Sequence, residues 1–245
     1  MPKPLIIAHR GASAYAPENT LSAFKKAIEL GTDGIELDVH LSKDGEVVVI
    51  HDFTVDRTSN GTGRVSQMPL KELKALDFGS WFLDKYRNER IPLLREVLEL
   101  LQGWDGLLNI EIKRNRLEGC SPIEEKVLDL LDTYGFAEKT IISSFDHYSL
   151  MKVNEIEPSM RICPLYIADL FKPWEYAGML NAFAIHPHYH TVTPDLVKQC
   201  HEHNINVNPY TVDCPEHIRL MIDAGVDGII TDVPDVAIQV RDAKK

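Results

Sequence analysis

Eight short runs rich in Ile and Val, separated mostly by stretches of helical period, constrain the fold of this chain more than any other feature. The runs are Leu5–His9, Gly34–His40, Leu107–Ile112, Thr140–Ser144, Arg161–Leu165, Ala182–Ile185, Ile205–Tyr210 and Gly228–Thr231. Their length and β-branched content read as buried strands. The helical stretches are Thr20–Leu30, Leu94–Leu101, Ile123–Leu131, Tyr148–Ile156, Leu196–His203, Ile218–Ala224 and Val236–Val240. In the first of them Leu21, Phe24, Ala27 and Ile28 share one face, as an amphipathic helix requires. Strands joined through helices run parallel, and eight of them predict a closed (β/α)₈ barrel. An open doubly wound sheet is the competing arrangement.

Helix punctuation supports this reading. Asn19 or Thr20 can cap the first helix, with Gly31 beyond its end. Ser121-Pro122 opens another, with Glu124 and Glu125 in its first turn, where the helix dipole favours acids. Pro194 and Pro215 also sit at expected helix starts.

Roughly fifty residues separate the second strand from the helix at Leu94, far more than a βα loop needs. Ser42-Lys43-Asp44-Gly45 is a turn signal, and Val47–Ile50 returns as a hairpin strand ending at His51. Ser59–Gly63 is a further turn and Leu70–Leu76 a short helix, with Phe78, Trp81, Phe82 and Tyr86 close by. The chain is therefore expected to be one barrel domain, 1–245, with an insertion of about 52–90 over one mouth.

At 245 residues the length suits one such barrel. Lys and Arg number 26 against 37 Asp and Glu, a net charge of −11, which argues against a nucleic-acid partner. A small anionic substrate remains compatible, because a bound cation can reverse the field in one pocket. The cysteines Cys120, Cys163, Cys200 and Cys214 show no Cys-x-x-Cys spacing and read as reduced thiols of a cytoplasmic protein. The apolar run Leu5–Ala8 is too short for a signal-peptide core, and no segment approaches the roughly 18 apolar residues of a membrane span. Oligomeric state is left open, a homodimer included.

Islands of polar chemistry stand at or near the ends of these strands: His9-Arg10-Gly11, Glu36-Leu37-Asp38, His51-Asp52 and Glu111-Ile112-Lys113. Side chains alternate along a strand, so Ile35 and Leu37 facing the helices would turn Glu36 and Asp38 toward the barrel axis. The same parity applies to Glu111 and Lys113. Acidic groups there need a compensating cation. Three carboxylates suit one hard divalent ion, Mg²⁺ or Ca²⁺, and nothing resembles a zinc set. Pairing of Glu36 and Asp38 with Arg10 or Lys113 alone is the competing reading.

His9 and His51 can share the catalytic face, one taking a proton from the attacking oxygen and the other protonating the leaving alkoxide. Arg10 and Lys113 would bind the phosphoryl oxygens. Glu18 either orients Arg10 or serves only as a helix-start acid.

These motifs, with Pro17-Glu18-Asn19-Thr20, Asp44-Gly45, Ile142-Ser143-Ser144-Phe145, Pro209-Tyr210-Thr211-Val212 and Gly228–Pro234, resemble the glycerophosphodiester phosphodiesterase family over almost the whole chain. The resemblance implies a TIM barrel with a small insertion that hydrolyses glycerophosphodiesters to glycerol 3-phosphate and an alcohol. It implies His9 and His51 as the catalytic pair, Glu36, Asp38 and Glu111 as metal ligands, and Arg10 and Lys113 as phosphate contacts. Where the family often has Trp-Thr-Val, this chain has Tyr210-Thr211-Val212. Related barrel phosphodiesterases can pass through a cyclic phosphate formed by a substrate hydroxyl, which glycerol offers beside its ester.

Phe145 and Tyr210 are candidates for an apolar shelf under the glycerol or alcohol portion. Of the alternating His186, His188 and His190, the first two are expected to pack or touch substrate, with His188 placed among the substrate contacts, and His190 to meet solvent. A metal site at these three is a weaker alternative. His201, His203 and His217 are expected at the surface, and Asp232 as a tether between loops. A phospholipase D-type enzyme acting on lysophospholipids is the alternative activity, with the Phe78–Tyr86 cluster as its apolar mouth.

Overall fold

The computed structural model describes residues 3–114 and 122–243. Eight parallel strands form the sheet in the order β8-β7-β6-β5-β4-β2-β1-β9, with β3 antiparallel on β2. Their ranges are β1 Leu5–Ala8, β2 Gly34–Leu41, β3 Val47–Val49, β4 Leu107–Ile112, β5 Thr140–Ser144, β6 Arg161–Tyr166, β7 Ala184–Pro187, β8 Asn206–Val207 and β9 Gly228–Thr231. Backbone bonds from Asp227 N–H to Val207 C=O (3.0 Å) and from Ile230 N–H to Pro209 C=O (3.0 Å) join the β8 segment to β9 and close the ring. The barrel is the expected one.

Helices α1 (Leu21–Glu29), α3 (Leu94–Leu100), α4 (Ile123–Tyr134), α5 (His147–Ile156), α7 (Pro194–Glu202), α8 (Pro215–Ala224) and α9 (Pro234–Asp242) lie at the expected positions, and α2 (Leu70–Leu73) in the insertion. Thr20 caps α1 by accepting from Ala23 N–H, and Gly135 ends α4 in the left-handed conformation that needs no Cβ. Pro194 and Pro215 open α7 and α8. Ser121 and Cys120 lie outside the described residues, whereas Cys163, Cys200 and Cys214 are free thiols. Glu124 and Glu125 stand in the first turn of α4 as expected, and Glu124 is also buried, accepting from Ser149 Oγ (2.6 Å) with Arg114 at 3.2 Å.

Two elements differ from expectation. Helix α6 (Pro173–Met179) shows no apolar stripe in sequence, because it buries only Pro173 and Ala177. Strand β8 is two residues long instead of six: Pro187 on β7 and Pro209 facing β9 lack the N–H groups that would continue its pairing, which resumes in a single bridge at Tyr210.

The parity argument holds. Ile35, Leu37, Val39, Ile110 and Ile112 pack outward in one core with Phe24, Val97, Leu98 and Val127 of the helices. Ile141, Cys163 and Ala184 form a separate small cluster with Leu107. Between β3 and α3 the chain carries a second core of Val48, Ile50, Val55, Val65, Leu73, Phe78, Ile91 and Leu93. Among the described residues no helix is long and apolar enough to cross a membrane.

Candidate active site

Strand register brings the carboxylates together. Glu36 pairs with Asn109 and Asp38 with Glu111 across β2 and β4, so Glu36, Asp38 and Glu111 project side by side. One oxygen from each lies within 4.8 Å of the others, and all three side chains are buried. This is the only such cluster of potential ligands among the described residues; the histidines at 186, 188 and 190 form none.

Burial, and then Asp38, push the carboxyls of Glu36 and Glu111 above the usual range. Burial would do the same to Asp38, but Lys113 and Arg10 outweigh it and hold Asp38 low. Lys113 Nζ stands 3.0 Å from Asp38 Oδ1 and also contacts Glu111, while Arg10 Nε lies 3.5 Å from Asp38 Oδ2. Both expected cations thus reach the cluster. Even so, Asp38 Oδ1 and Glu111 Oε1 are buried without a well-formed hydrogen bond. Three buried carboxylates against two cations, two of the three held above the usual range by burial and by one another, are a donor set that fits a hard divalent ion.

Arg10 has a left-handed backbone (φ 57°), and its N–H donates to Glu36 Oε2 at 2.8 Å. Its guanidinium donates to Glu18 Oε1 at 2.8 Å, a contact that the orienting reading of Glu18 requires. Gly11 follows at φ 79°, and a Cβ there would sit 2.7 Å from the backbone of Ala23. Asn19 is not a cap. Also left-handed (φ 56°), it donates from Nδ2 to Asp38 Oδ2 at 2.7 Å and accepts from the backbone N–H of Asp38 at 3.2 Å, gripping both the carboxylate and the main chain of that residue.

Each histidine meets an aspartate. His9 Nδ1 lies 2.6 Å from Asp232 Oδ1, and His51 Nδ1 lies 2.7 Å from Asp52 Oδ1. A carboxylate at Nδ1 fixes the N–H there and leaves Nε2 as the free ring nitrogen. Asp232 also accepts from Ser13 Oγ at 2.9 Å, so it tethers the loop after β1 while orienting His9. Burial lowers His51 below the ordinary imidazole range, helped by Lys113 and Arg10 and opposed by Asp38 and Asp52. Burial alone would raise Asp52, but bonds from Arg57 and His51 bring it down to about 2. Neither orienting aspartate was recognisable from the chain as such, although Asp52 adjoins its histidine. Nothing in the sequence marks Arg57, which bonds Asp52 and Glu18 together.

A cavity of about 550 Å³ opens beside these groups, lined by His51, Phe53, Glu111, Lys113, Arg114 and Phe145 among others. Phe145 is half exposed, with its ring 6.0 Å from Tyr210 and Lys113 Nζ 5.9 Å from its face. The Tyr210 hydroxyl donates to Tyr166 C=O (3.1 Å), and His188 packs edge-on at 5.9 Å from Tyr210. His188 thus contacts Tyr210, and neither residue is among those lining this cavity. His186 is fully buried with Asn208, away from this cavity's lining, and His190 is exposed as expected.

From the insertion, Phe53 and Thr54 reach the cavity. The Phe78–Tyr86 group does not line it: Phe78 belongs to the insertion's own core, and the Tyr86 hydroxyl donates to Tyr15 C=O at 2.9 Å. Indole and phenol rings with polar handles have anchored to neighbouring backbone instead.

A parallel barrel with a cluster of acids and a histidine pair at one mouth defines a hydrolase of phosphate esters as a class. The profile of the glycerophosphoryl diester phosphodiesterase family matches residues 9–236. A glycerophosphodiester phosphodiesterase of Caldanaerobacter subterraneus subsp. tengcongensis is 50% identical over 96% of this chain and 97% of its own length. A phosphodiesterase of Oleispira antarctica, solved with the product sn-glycerol-3-phosphate, superposes with a TM-score of 0.90 at 29% identity, over 98% of this chain and 97% of its own. A glycerophosphodiester phosphodiesterase from Agrobacterium tumefaciens gives 0.84 at 32% identity over 96% and 98%. The chain belongs to the glycerophosphoryl diester phosphodiesterase family and is a phosphoric diester hydrolase.

Proposed function

We propose that this enzyme hydrolyses glycerophosphodiesters to glycerol 3-phosphate and an alcohol by cation-assisted acid/base catalysis between His9 and His51. The observation that carries the reading is the paired His–Asp arrangement beside a buried three-carboxylate cluster. Glu36, Asp38 and Glu111 would hold the ion, which supplies positive charge to the phosphoryl oxygens when bound. Arg10, braced by Glu18, binds a non-bridging oxygen. Lys113, which stands against Asp38 and Glu111, would bind the other.

Asp52 shares its charge with Arg57, which favours a neutral His51, whereas Asp232 bonds the neutral Ser13 besides His9. His51 is accordingly the base and His9 the acid. His51 Nε2 takes the proton of the glycerol hydroxyl next to the ester, and the hydroxyl oxygen bonds to phosphorus. The bond to the alcohol oxygen breaks as His9 gives that oxygen a proton. Water then opens the cyclic phosphate with the roles reversed. Phe145 and Tyr210 flank the organic portion.

The test is glycerol 3-phosphate release from glycerophosphocholine by protein stripped of metal and resupplied with Mg²⁺ or Ca²⁺. Release restored by either ion is expected; full release without any ion sinks the cation assignment. Lysophospholipid turnover exceeding that of glycerophosphocholine would move the enzyme to the phospholipase D-type activity. A diester lacking the neighbouring hydroxyl tests the cyclic route, and undiminished turnover would rule it out.

A further inference from the structure

Arg57 lies in the insertion, five residues beyond Asp52, and its guanidinium spans two carboxylates from different parts of the chain. Nη1 and Nη2 donate to Oε2 and Oε1 of Glu18, both at 2.7 Å, in a bidentate fork. Nε donates to Asp52 Oδ2 at 2.7 Å, and Nη2 reaches Asp52 Oδ1 at 3.1 Å. Two of these oxygens are shared with the site. Glu18 Oε1 also accepts from Arg10, and Asp52 Oδ1 also meets His51 Nδ1. A planar fork with fixed donor angles sets the relative placement of both acids, which a flexible ammonium cannot do.

We propose that Arg57 is a positioning residue of the reaction: by clamping Glu18 and Asp52 it holds the Arg10 guanidinium and the His51 imidazole at a fixed spacing. The inference rests on the roles given above to Arg10 and His51. Arg57 touches no substrate itself. It sets where the phosphoryl group is held relative to where the proton is taken. It also offsets the two negative charges, so that Glu18 and Asp52 orient their partners without an unbalanced acid beside an anionic substrate. Surface ion pairs between mobile side chains contribute little, but here one cation serves two acids, each already committed to a partner in the site.

The side chain is 45% exposed, so a free guanidinium ion can enter the space vacated in an Arg57→Ala variant. Loss of an outer partner to a catalytic group is expected to lower kcat by roughly 10–100-fold. The melting temperature should be nearly unchanged, and millimolar guanidinium, but not NaCl of equal ionic strength, should restore activity. Arg57→Lys should remain impaired, since one ammonium cannot make the two-acid fork. In an Asp52→Asn background, Arg57→Ala should cost much less than in the wild type.

Three results would overturn the proposal: wild-type kcat in Arg57→Ala or in Arg57→Lys, or a loss in Arg57→Ala that guanidinium does not restore. The last would make Arg57 an anchor of the insertion only. His51→Ala is measured alongside. If it keeps wild-type kcat, the histidine mechanism fails. If it is inactive while Arg57→Ala is not, the clamp alone fails.

Discussion

At the residue scale, the proposed reaction depends on groups whose types were legible in the chain and on partners that were not. Glu36, Asp38 and Glu111 could be placed on the barrel axis because strand parity leaves an acid no neutral choice of face. Asp232 could not be assigned to His9, because they are 223 positions apart and meet only when β9 pairs with β1. Asn19 was masked by its own chemistry: beside Thr20 it resembles a cap, and only its left-handed backbone turns it to Asp38. His9→Ala or His51→Ala is expected to lower kcat by roughly 10²–10⁴-fold without shifting the melting temperature. Steady-state kinetics retaining wild-type kcat would remove that residue from the mechanism. Glu111→Gln should weaken divalent-ion binding, read by titration calorimetry, by at least about tenfold. Equal affinity in the variant would refute the ligand assignment.

At the element scale, the barrel strands were readable wherever a buried, β-branched run coincided with a full ladder. The reading failed where prolines in β7 and after β8 interrupt the pairing of β8, and where α6 buried too few residues to show a stripe. The turn after β1 depends on a single backbone requirement. Gly11 combines φ 79° with a close approach to Ala23, so Gly11→Ala brings both a left-handed penalty and a clash. It should destabilise the protein by roughly 1–3 kcal/mol in urea denaturation. It should also lower activity by displacing Arg10, which the preceding peptide fixes to Glu36. A variant with wild-type stability and kcat would show that this turn tolerates another shape.

At the scale of the whole molecule, pH stability should carry the signature of a buried neutral imidazole. Burial takes His186 down to about 3, well under its ordinary value of 6.5. Above pH 6.5 neither state is charged and the contribution is fully present. As pH falls, the unfolded chain takes up the proton first, so stability is lost progressively toward pH 3. For one such group the loss between pH 7 and 5 is about 2 kcal/mol. Urea denaturation of His186→Gln should show that much less pH dependence over this interval; identical slopes would exclude His186 as the source. Other titrating groups act in both proteins and cancel in the difference. The charged machinery is unevenly distributed around the ring. The three carboxylates, Arg10, Lys113 and both histidines all come from positions up to 113, while Asp232 arrives from the last turn of chain. The bond between His9 and Asp232 therefore spans the seam that the β1–β9 ladder closes. A molecule frayed at its final strand would keep its carboxylate cluster with Arg10 and Lys113 beside it yet lose the alignment of one imidazole, so that under the proposed mechanism turnover reports whether the circle is shut.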